Sequence, residues 1–205
     1  MLEETGQAGQ PAKHSPGAAR PKILVIGLGN PILGDDGIGW HVVQAIQARL
    51  QTENNAQDEK HSLKKLFASI TEGLLEFDCL SLGGLALMER LVGYTHALII
   101  DAITTQACPV GDVHCFSLQD LPRLAMGRLA SAHDTSLQNA LQMGRMMGAE
   151  LPDEIIIVGI EAQAVYDFSE QLSEPVAAAI PTANQLVLQQ VLKWLHSPDQ
   201  LVDRS

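Results

Sequence analysis

Short apolar runs recur along the chain at the lengths expected of strands. Residues 22–27, 96–103 and 154–160 are continuous and rich in branched aliphatic side chains, which is typical of strands covered on both faces of a sheet. Residues 72–79 form a weaker strand candidate, and the weak alternation at 111–117 is typical of an edge strand. The pattern therefore predicts about five strands.

Segments with helical periodicity separate these strands. Apolar residues recur every three or four positions in three segments, residues 37–51, 134–147 and 174–195. Pro181 is a candidate point of interruption in the last helix, and the polar segment 52–61 is expected to be a loop. Because strands alternate with helices, the sequence predicts a parallel α/β sandwich with helices on both faces of the sheet.

The composition is that of one ordinary globular domain. The 205 residues are 46% hydrophobic and 18% charged, enough apolar surface for a single core. We expect a flexible leader over residues 1–21, one domain over 22–196 and a tail over 197–205.

The charge and the cysteines exclude several classes of protein. Thirteen Lys and Arg against 24 Asp and Glu give a net charge of −11, a field that repels nucleic acid and anionic membrane surfaces. Three cysteines without a C-x-x-C pair indicate neither a disulfide framework nor a zinc knuckle, and a reducing cytoplasm suits them best. Residues 150–174 are acidic and lack Lys and Arg, which predicts a solvated acidic face, with a docking surface for a basic partner as the alternative.

The loop after the first strand has the sequence GLGNPILGDDG and begins at Gly27. A dinucleotide-binding fingerprint fails here because Ile32 stands at its third glycine. A P-loop fails because Asp35 stands at its lysine and Asp36 follows. Two carboxylates in this position favour a cation over a phosphate, although one of them is also explained as a helix N-cap.

Asp101 and His133 are the other candidate ligands. Asp101 lies near the end of a buried strand, where a carboxylate must be paired, hydrogen-bonded or metal-bound; a cap on its own strand end is the structural alternative. His133 precedes a predicted helix, and by itself it is a solvated loop histidine. With Asp36 these residues form an oxygen, oxygen, nitrogen set that suits a borderline divalent ion. No other histidine is comparably situated, with His41 kept in reserve, and no cysteine stands in a recognisable Cys and His pattern.

These motifs together resemble the hydrogenase maturation endopeptidases. The pattern G-x-G-N-x4-D-D-x2-G starts at Gly27, Asp101 stands in LIIDAI, and His133 precedes a helix. The resemblance covers residues 22–195 and implies a three-layer α/β/α sandwich around a twisted, mostly parallel sheet of about five strands. Leu82 departs from the family pattern. Many relatives carry an acidic residue at this position, just before the paired glycines, which are Gly83 and Gly84 in this chain.

The resemblance also implies an activity. The expected protein is a cytoplasmic, monomeric endopeptidase, grouped as aspartic-type, that removes the C-terminal extension of the nickel-loaded precursor of the nickel-iron hydrogenase large subunit. It implies that Asp36, Asp101 and His133 are the metal-binding and catalytic residues and that the nickel arrives with the substrate. The attacking group stays open. A non-catalytic nickel-binding scaffold or chaperone and a small-molecule metallohydrolase are the alternatives.

Overall fold

The computed structural model describes residues 20–53, 60–120, 134–163, 165 and 168–196. Most of the predicted leader, all of the predicted tail and residues 121–133 therefore lie outside the described residues. Within the described ranges, no helix is both long enough and apolar enough to cross a lipid bilayer.

Five strands form one sheet with the order β2-β1-β3-β5-β4. The first four strands in that order run parallel, and β4 is antiparallel to β5 at the edge. The prediction of a mostly parallel sheet of about five strands is confirmed. The strands are β1 (Ile23–Leu28), β2 (Leu75–Leu80), β3 (His96–Ile103), β4 (Val113–Ser117) and β5 (Glu154–Glu161).

In the part of the chain that the structure describes, four α-helices lie between strands and a fifth follows β5. They are α1 (Ile38–Glu53), α2 (Lys60–Thr71), α3 (Gly84–Arg90), α4 (Asp134–Met146) and α5 (Glu174–His196). The predicted loop over 52–61 is wrong at both ends, because α1 continues to Glu53 and α2 begins at Lys60. Helix α5 runs through Pro181 without interruption, because this proline lies on the exposed side of the helix, where water can satisfy the carbonyl that loses its donor.

Alternating side chains along the sheet build two separate cores. In β3, Leu98 and Ile100 pack with α1, α2 and α5, whereas Ala97 and Ile99 pack with α3 and α4 on the opposite face. Burial on both faces explains why β1 and β3 read as continuous apolar runs. The structure is thus the predicted three-layer α/β/α sandwich.

The connections open a crevice between β1 and β3. The chain leaves β1 through α1 and α2 to β2 on one side, and then crosses through α3 to β3 on the other side of β1. At such a switch point the loops after the two strands diverge, and ligands of open α/β sheets bind there. Asp36 follows β1 and Asp101 belongs to β3.

A charged network fixes α3 to the edge strand β2. Arg90 Nε donates to Asp78 Oδ2 at 2.8 Å, and Tyr94 Oη donates to Glu76 Oε2 at 2.6 Å. The Lys22 ammonium lies 4.5 Å from the centre of the Tyr94 ring. The hydrogen bond from Tyr94, assisted by Arg90 and opposed by partial burial, lowers the pKa of Glu76. The network therefore ties the C-terminal end of α3 to β2.

Candidate functional site

Glycines allow the backbone to cross itself at the end of β1. A Cβ on Gly27 would lie 2.3 Å from the Gly39 carbonyl oxygen, and a Cβ on Gly39 would lie 2.4 Å from the Ile100 carbonyl oxygen. Gly29 has a φ of +121°, and its Cβ would lie 1.9 Å from the Asp36 carbonyl oxygen. The glycines of the sequence motif therefore bring Asp36 onto the end of β1.

Asp36 lies in a 3-10 turn, Gly34–Gly37, that contacts β3. Its side chain is half-buried, and its Oδ2 accepts a hydrogen bond of 2.6 Å from the backbone N–H of Asn30. The residue at the N-cap of this turn is Leu33, whose side chain makes no capping hydrogen bond. The Asp36 carboxylate therefore binds the backbone of the loop after β1 and is not the N-cap of this turn.

Asp35 has a structural role in this turn. It is 0% exposed, and its carboxylate accepts hydrogen bonds from the Ser173 backbone N–H at 2.7 Å and the Ser173 hydroxyl at 3.0 Å. A longer bond of 3.4 Å comes from the Gln163 backbone N–H. Asp35 thus ties the turn to the segment that follows β5, which leaves Asp36 as the carboxylate that solvent reaches.

Asp101 lies on the strand adjacent to β1. Its neighbour Ile100 is level with Gly27, and Asp101 itself is paired with Gly159 of β5. The side chain follows the alternation of β3 toward the face covered by α3 and α4, and it is 3% exposed. A carboxylate buried to this degree needs hydrogen bonds or a cation. The structure therefore brings Asp36 and Asp101 to the same edge of two neighbouring strands.

His133 lies outside the described residues, so its membership of the site stays a prediction. Helix α4 begins directly after it and packs on the sheet face toward which Asp101 points. Near the other end of α4, Arg145 donates to the carbonyl of Pro152, which precedes β5. Helix α4 therefore begins on the side of the sheet where the parallel strands end.

The turn after β2 supports the loop of the site. The Ser81 hydroxyl donates to the Gly29 carbonyl at 2.7 Å. Gly83 is the N-cap of α3, and Gly84 has a φ of +53°. The paired glycines therefore form the turn that joins β2 to α3. Leu82, the departure from the family pattern, is 37% exposed.

Exposed apolar side chains lie on the segments that follow β1, β2 and β5. The Ser169 backbone N–H donates to the Ile32 carbonyl, and this contact joins the loop after β1 to the segment after β5. Exposed large apolar side chains lie on these two segments, in the turn after β2 and at the start of α3. They are Ile32 (48%), Phe168 (87%), Leu82 (37%) and Leu85 (53%). We call these four residues the apolar rim.

Glu161, in the acidic segment 150–174, does not lie on a solvated face. Glu161 is 2% exposed, and its carboxylate accepts hydrogen bonds from the Thr105 hydroxyl at 2.7 Å and the Gln106 backbone N–H at 2.8 Å. The prediction of one solvated acidic face is therefore wrong at Glu161, whose charge is satisfied by the loop after β3.

Sequence reasoning also missed a cluster formed by Cys108, Asp112 and His114. These residues lie within seven positions of one another, but no metal-binding motif has this spacing. Their proximity depends on a turn and on the antiparallel pairing of β4, which the sequence pattern did not reveal.

Comparisons with known proteins agree with the fold. The fold is an α/β/α sandwich, and acidic residues lie at the switch point of its sheet. The family model for hydrogenase maturation proteases matches residues 81–190, more than half of the chain. The chain belongs to the hydrogenase maturation protease family, as its motifs predicted. The matched range includes the positions of Asp101 and His133 and begins after Asp36.

Individual relatives are distant but cover most of the chain. The hydrogenase 2 maturation protease of Escherichia coli is 25% identical over 177 residues, covering 85% of this chain and 90% of that protein. The hydrogenase expression/formation protein HoxM of Azotobacter vinelandii is 23% identical over 169 residues, covering 82% and 72%.

Solved structures share the fold. The hydrogenase maturating endopeptidase HybD from E. coli superposes with a TM-score of 0.63 at 23% identity, covering 84% of this chain and 93% of that one. The [NiFe] hydrogenase maturation protease HybD from Thermococcus kodakarensis gives a TM-score of 0.55 at 22% identity, covering 82% and 98%. At these identities the likeness supports the architecture alone.

Proposed function

We propose that the protein is an endopeptidase that removes the C-terminal extension of the nickel-loaded precursor of a nickel-iron hydrogenase large subunit. In this proposal Asp36, Asp101 and His133 bind the nickel that the precursor carries. The observation that carries the proposal is the position of Asp36 and Asp101 at the ends of β1 and β3, on the two sides of the switch-point crevice.

The chemistry of these side chains suits a visiting metal. Two carboxylates and an imidazole are hard or borderline donors that accept Ni²⁺ into open coordination positions, whereas the precursor holds its nickel mainly through cysteine thiolates. Asp36 is half-buried and meets the incoming ion first, since Asp101 is nearly closed to solvent. A shared ion fixes the scissile peptide beside the site and polarises its carbonyl or a water.

The apolar rim supports a protein as the substrate. Single exposed apolar side chains are ordinary on a protein surface, but these four lie on the loops and the helix start beside one crevice. They offer a folded precursor an apolar contact around the charged centre. Leu82 belongs to this rim, so an apolar contact replaces the acidic one that many relatives have at this position.

Nickel recognition gives the reaction a checkpoint. A precursor without nickel offers the two aspartates and the histidine no ion to share, so the scissile peptide is not held in position. Cleavage is therefore confined to subunits whose metal has already been inserted.

The test is proteolysis of the cognate large-subunit precursor, prepared with and without nickel and followed by mass spectrometry. We expect the mass of the nickel-loaded precursor to fall by that of its C-terminal extension and the nickel-free precursor to stay intact. Asp36→Ala, Asp101→Ala and His133→Ala should each leave the precursor uncut, while His196→Gln, at an exposed histidine that ends α5, should cut normally.

Other outcomes would reject the proposal in recognisable ways. A stable complex with the nickel-loaded precursor at unchanged mass would indicate a scaffold or chaperone. Tight nickel binding by the isolated protein, with no effect on the precursor, would favour a small-molecule metallohydrolase. Normal processing by all three variants would reject the assigned residues.

A further inference from the structure

Three potential metal ligands converge between the end of β3 and the edge strand β4. The thiol of Cys108, a carboxylate oxygen of Asp112 and a ring nitrogen of His114 all lie within 4.8 Å of one another. Cys108 and His114 are half-buried, and Asp112 is exposed. These side chains carry both soft and hard donors, unlike a surface cluster of acidic residues.

The loop that carries this cluster is rigidly built on Glu161. The Glu161 carboxylate accepts the backbone N–H of Gln106 at 2.8 Å, and its backbone carbonyl accepts the N–H of Gly111 at 2.8 Å. The N–H of Glu161 in turn donates to the Asp112 carbonyl at 2.9 Å. The loop is therefore anchored on both sides of Cys108, and the three ligands are held near each other before any ion arrives.

His114 supplies a second, independent observation. Its Nε2 atom is shielded from solvent and has no hydrogen-bond partner among the described residues. A buried ring nitrogen without a partner loses its hydration without compensation, and a cation bound at the cluster through Nε2 would satisfy it. The antiparallel register opposite Gly159 fixes the backbone of His114.

The cluster is separate from the crevice. Asp101 also pairs with Gly159, from the other side of β5, so His114 and Asp101 stand two strands apart. At about 4.8 Å per strand, their backbones are about 10 Å from each other. The cluster therefore belongs to the edge strand β4 and its preceding loop, and the crevice belongs to β1 and β3.

We propose that Cys108, Asp112 and His114 bind a borderline divalent transition-metal ion, of the class of Zn²⁺, Co²⁺ and Ni²⁺. Thiolate, imidazole and carboxylate are the donors that such ions take in tetrahedral sites. Metal–ligand bonds of about 2.0–2.3 Å separate tetrahedral ligands by about 3.3–3.8 Å, so three atoms within 4.8 Å of one another need at most a small adjustment. The exposed Asp112 side chain makes that adjustment. Cys108 binds as the thiolate and releases its proton to solvent, and the fourth position holds water.

Co²⁺ is a direct probe, because a thiolate ligand gives a charge-transfer absorption that carboxylate and imidazole ligands do not. Full-length protein, reduced and metal-free, should develop this absorption on titration with Co²⁺. The absorption should stop increasing when one Co²⁺ per chain is bound at this site. Added Zn²⁺ should then remove it by competition. Cys108→Ser should abolish the absorption, and His114→Gln should weaken Co²⁺ binding at least tenfold.

Matched controls separate this site from its neighbours. Cys115→Ser changes the next cysteine on β4 and should leave the titration unchanged, as should Asp36→Ala in the crevice. Asp112→Asn alters an exposed residue, so it keeps the fold and should still weaken binding at least tenfold. The proposal is overturned if the absorption persists in Cys108→Ser, if Cys115→Ser removes it, or if folded wild-type protein shows none.

Discussion

The adjacent residues Asp35 and Asp36 should respond to mutation in opposite ways. Asp35→Ala removes a fully buried carboxylate that accepts two short hydrogen bonds from Ser173 and a longer one from Gln163. Asp36→Ala removes a half-buried carboxylate with one backbone hydrogen bond, from Asn30. The first change should destabilise the fold, and the second should abolish processing.

The magnitudes follow from the contacts. Hydrogen bonds to a charged group contribute about 1.5–3 kcal/mol each, and losing the buried charge recovers part of this, which leaves a net cost of about 3 kcal/mol for Asp35→Ala. In a chain of this size that cost lowers Tm by about 6–12 °C. Asp36→Ala should cost about 1 kcal/mol. Asp35→Asn should also cost about 1 kcal/mol, because the amide still accepts from the Ser173 N–H and can donate to its hydroxyl.

Urea unfolding and calorimetry measure the stabilities, and processing of nickel-loaded precursor measures the activity. The order of stability should be wild type, then Asp36→Ala and Asp35→Asn together, then Asp35→Ala. Asp35→Asn should process precursor at a temperature where it is folded, while Asp36→Ala should not. The reasoning is refuted if Asp35→Ala is as stable as wild type, or if Asp36→Ala loses as much stability as Asp35→Ala.

Two further predictions concern the backbone of the site and the edge of the sheet. Gly29→Ala should destabilise the fold by more than about 3 kcal/mol, because its Cβ meets the Asp36 carbonyl, whereas Gly93→Ala, with a φ of +84° but open space around it, should cost about 1 kcal/mol in urea unfolding. Equal costs would contradict the backbone crossing. Glu76 has a lowered pKa in the folded state, so its contribution is present above its ordinary value of 4.5 and is lost as the pH falls below it. Glu76→Gln should therefore lose less stability than wild type between pH 5 and about pH 3, by no more than about 1 kcal/mol because the Glu76 carboxylate is partly open to water, and parallel pH profiles would exclude the network with Tyr94.

The sequence pattern predicted the sheet well because burial on both faces leaves continuous apolar runs. It failed at α2, where Leu66 is buried and Ile70 is only half-buried, so the apolar stripe is thin among many polar residues. It also left an interruption open at Pro181, because the sequence does not show which side of a helix faces water.

The site was only partly predictable, for a related reason. Local sequence indicated that one carboxylate of the pair Asp35 and Asp36 was left over, but the partners of Asp35 are 128 and 138 positions away. Long-range contacts of this kind decide which aspartate is structural, and they leave no local signal. The cluster around His114 depends in the same way on the register of β4.

The central claim is that this protein shares the nickel of its substrate. X-ray absorption at the nickel edge examines that ion itself. It is recorded on nickel-loaded precursor before and after addition of the wild-type protein, under conditions that block proteolysis. We predict that oxygen and nitrogen neighbours are added to the sulfur ligands on complex formation, and that Asp36→Ala reduces this change. A nickel spectrum that stays the same in a complex competent for cleavage would contradict the account.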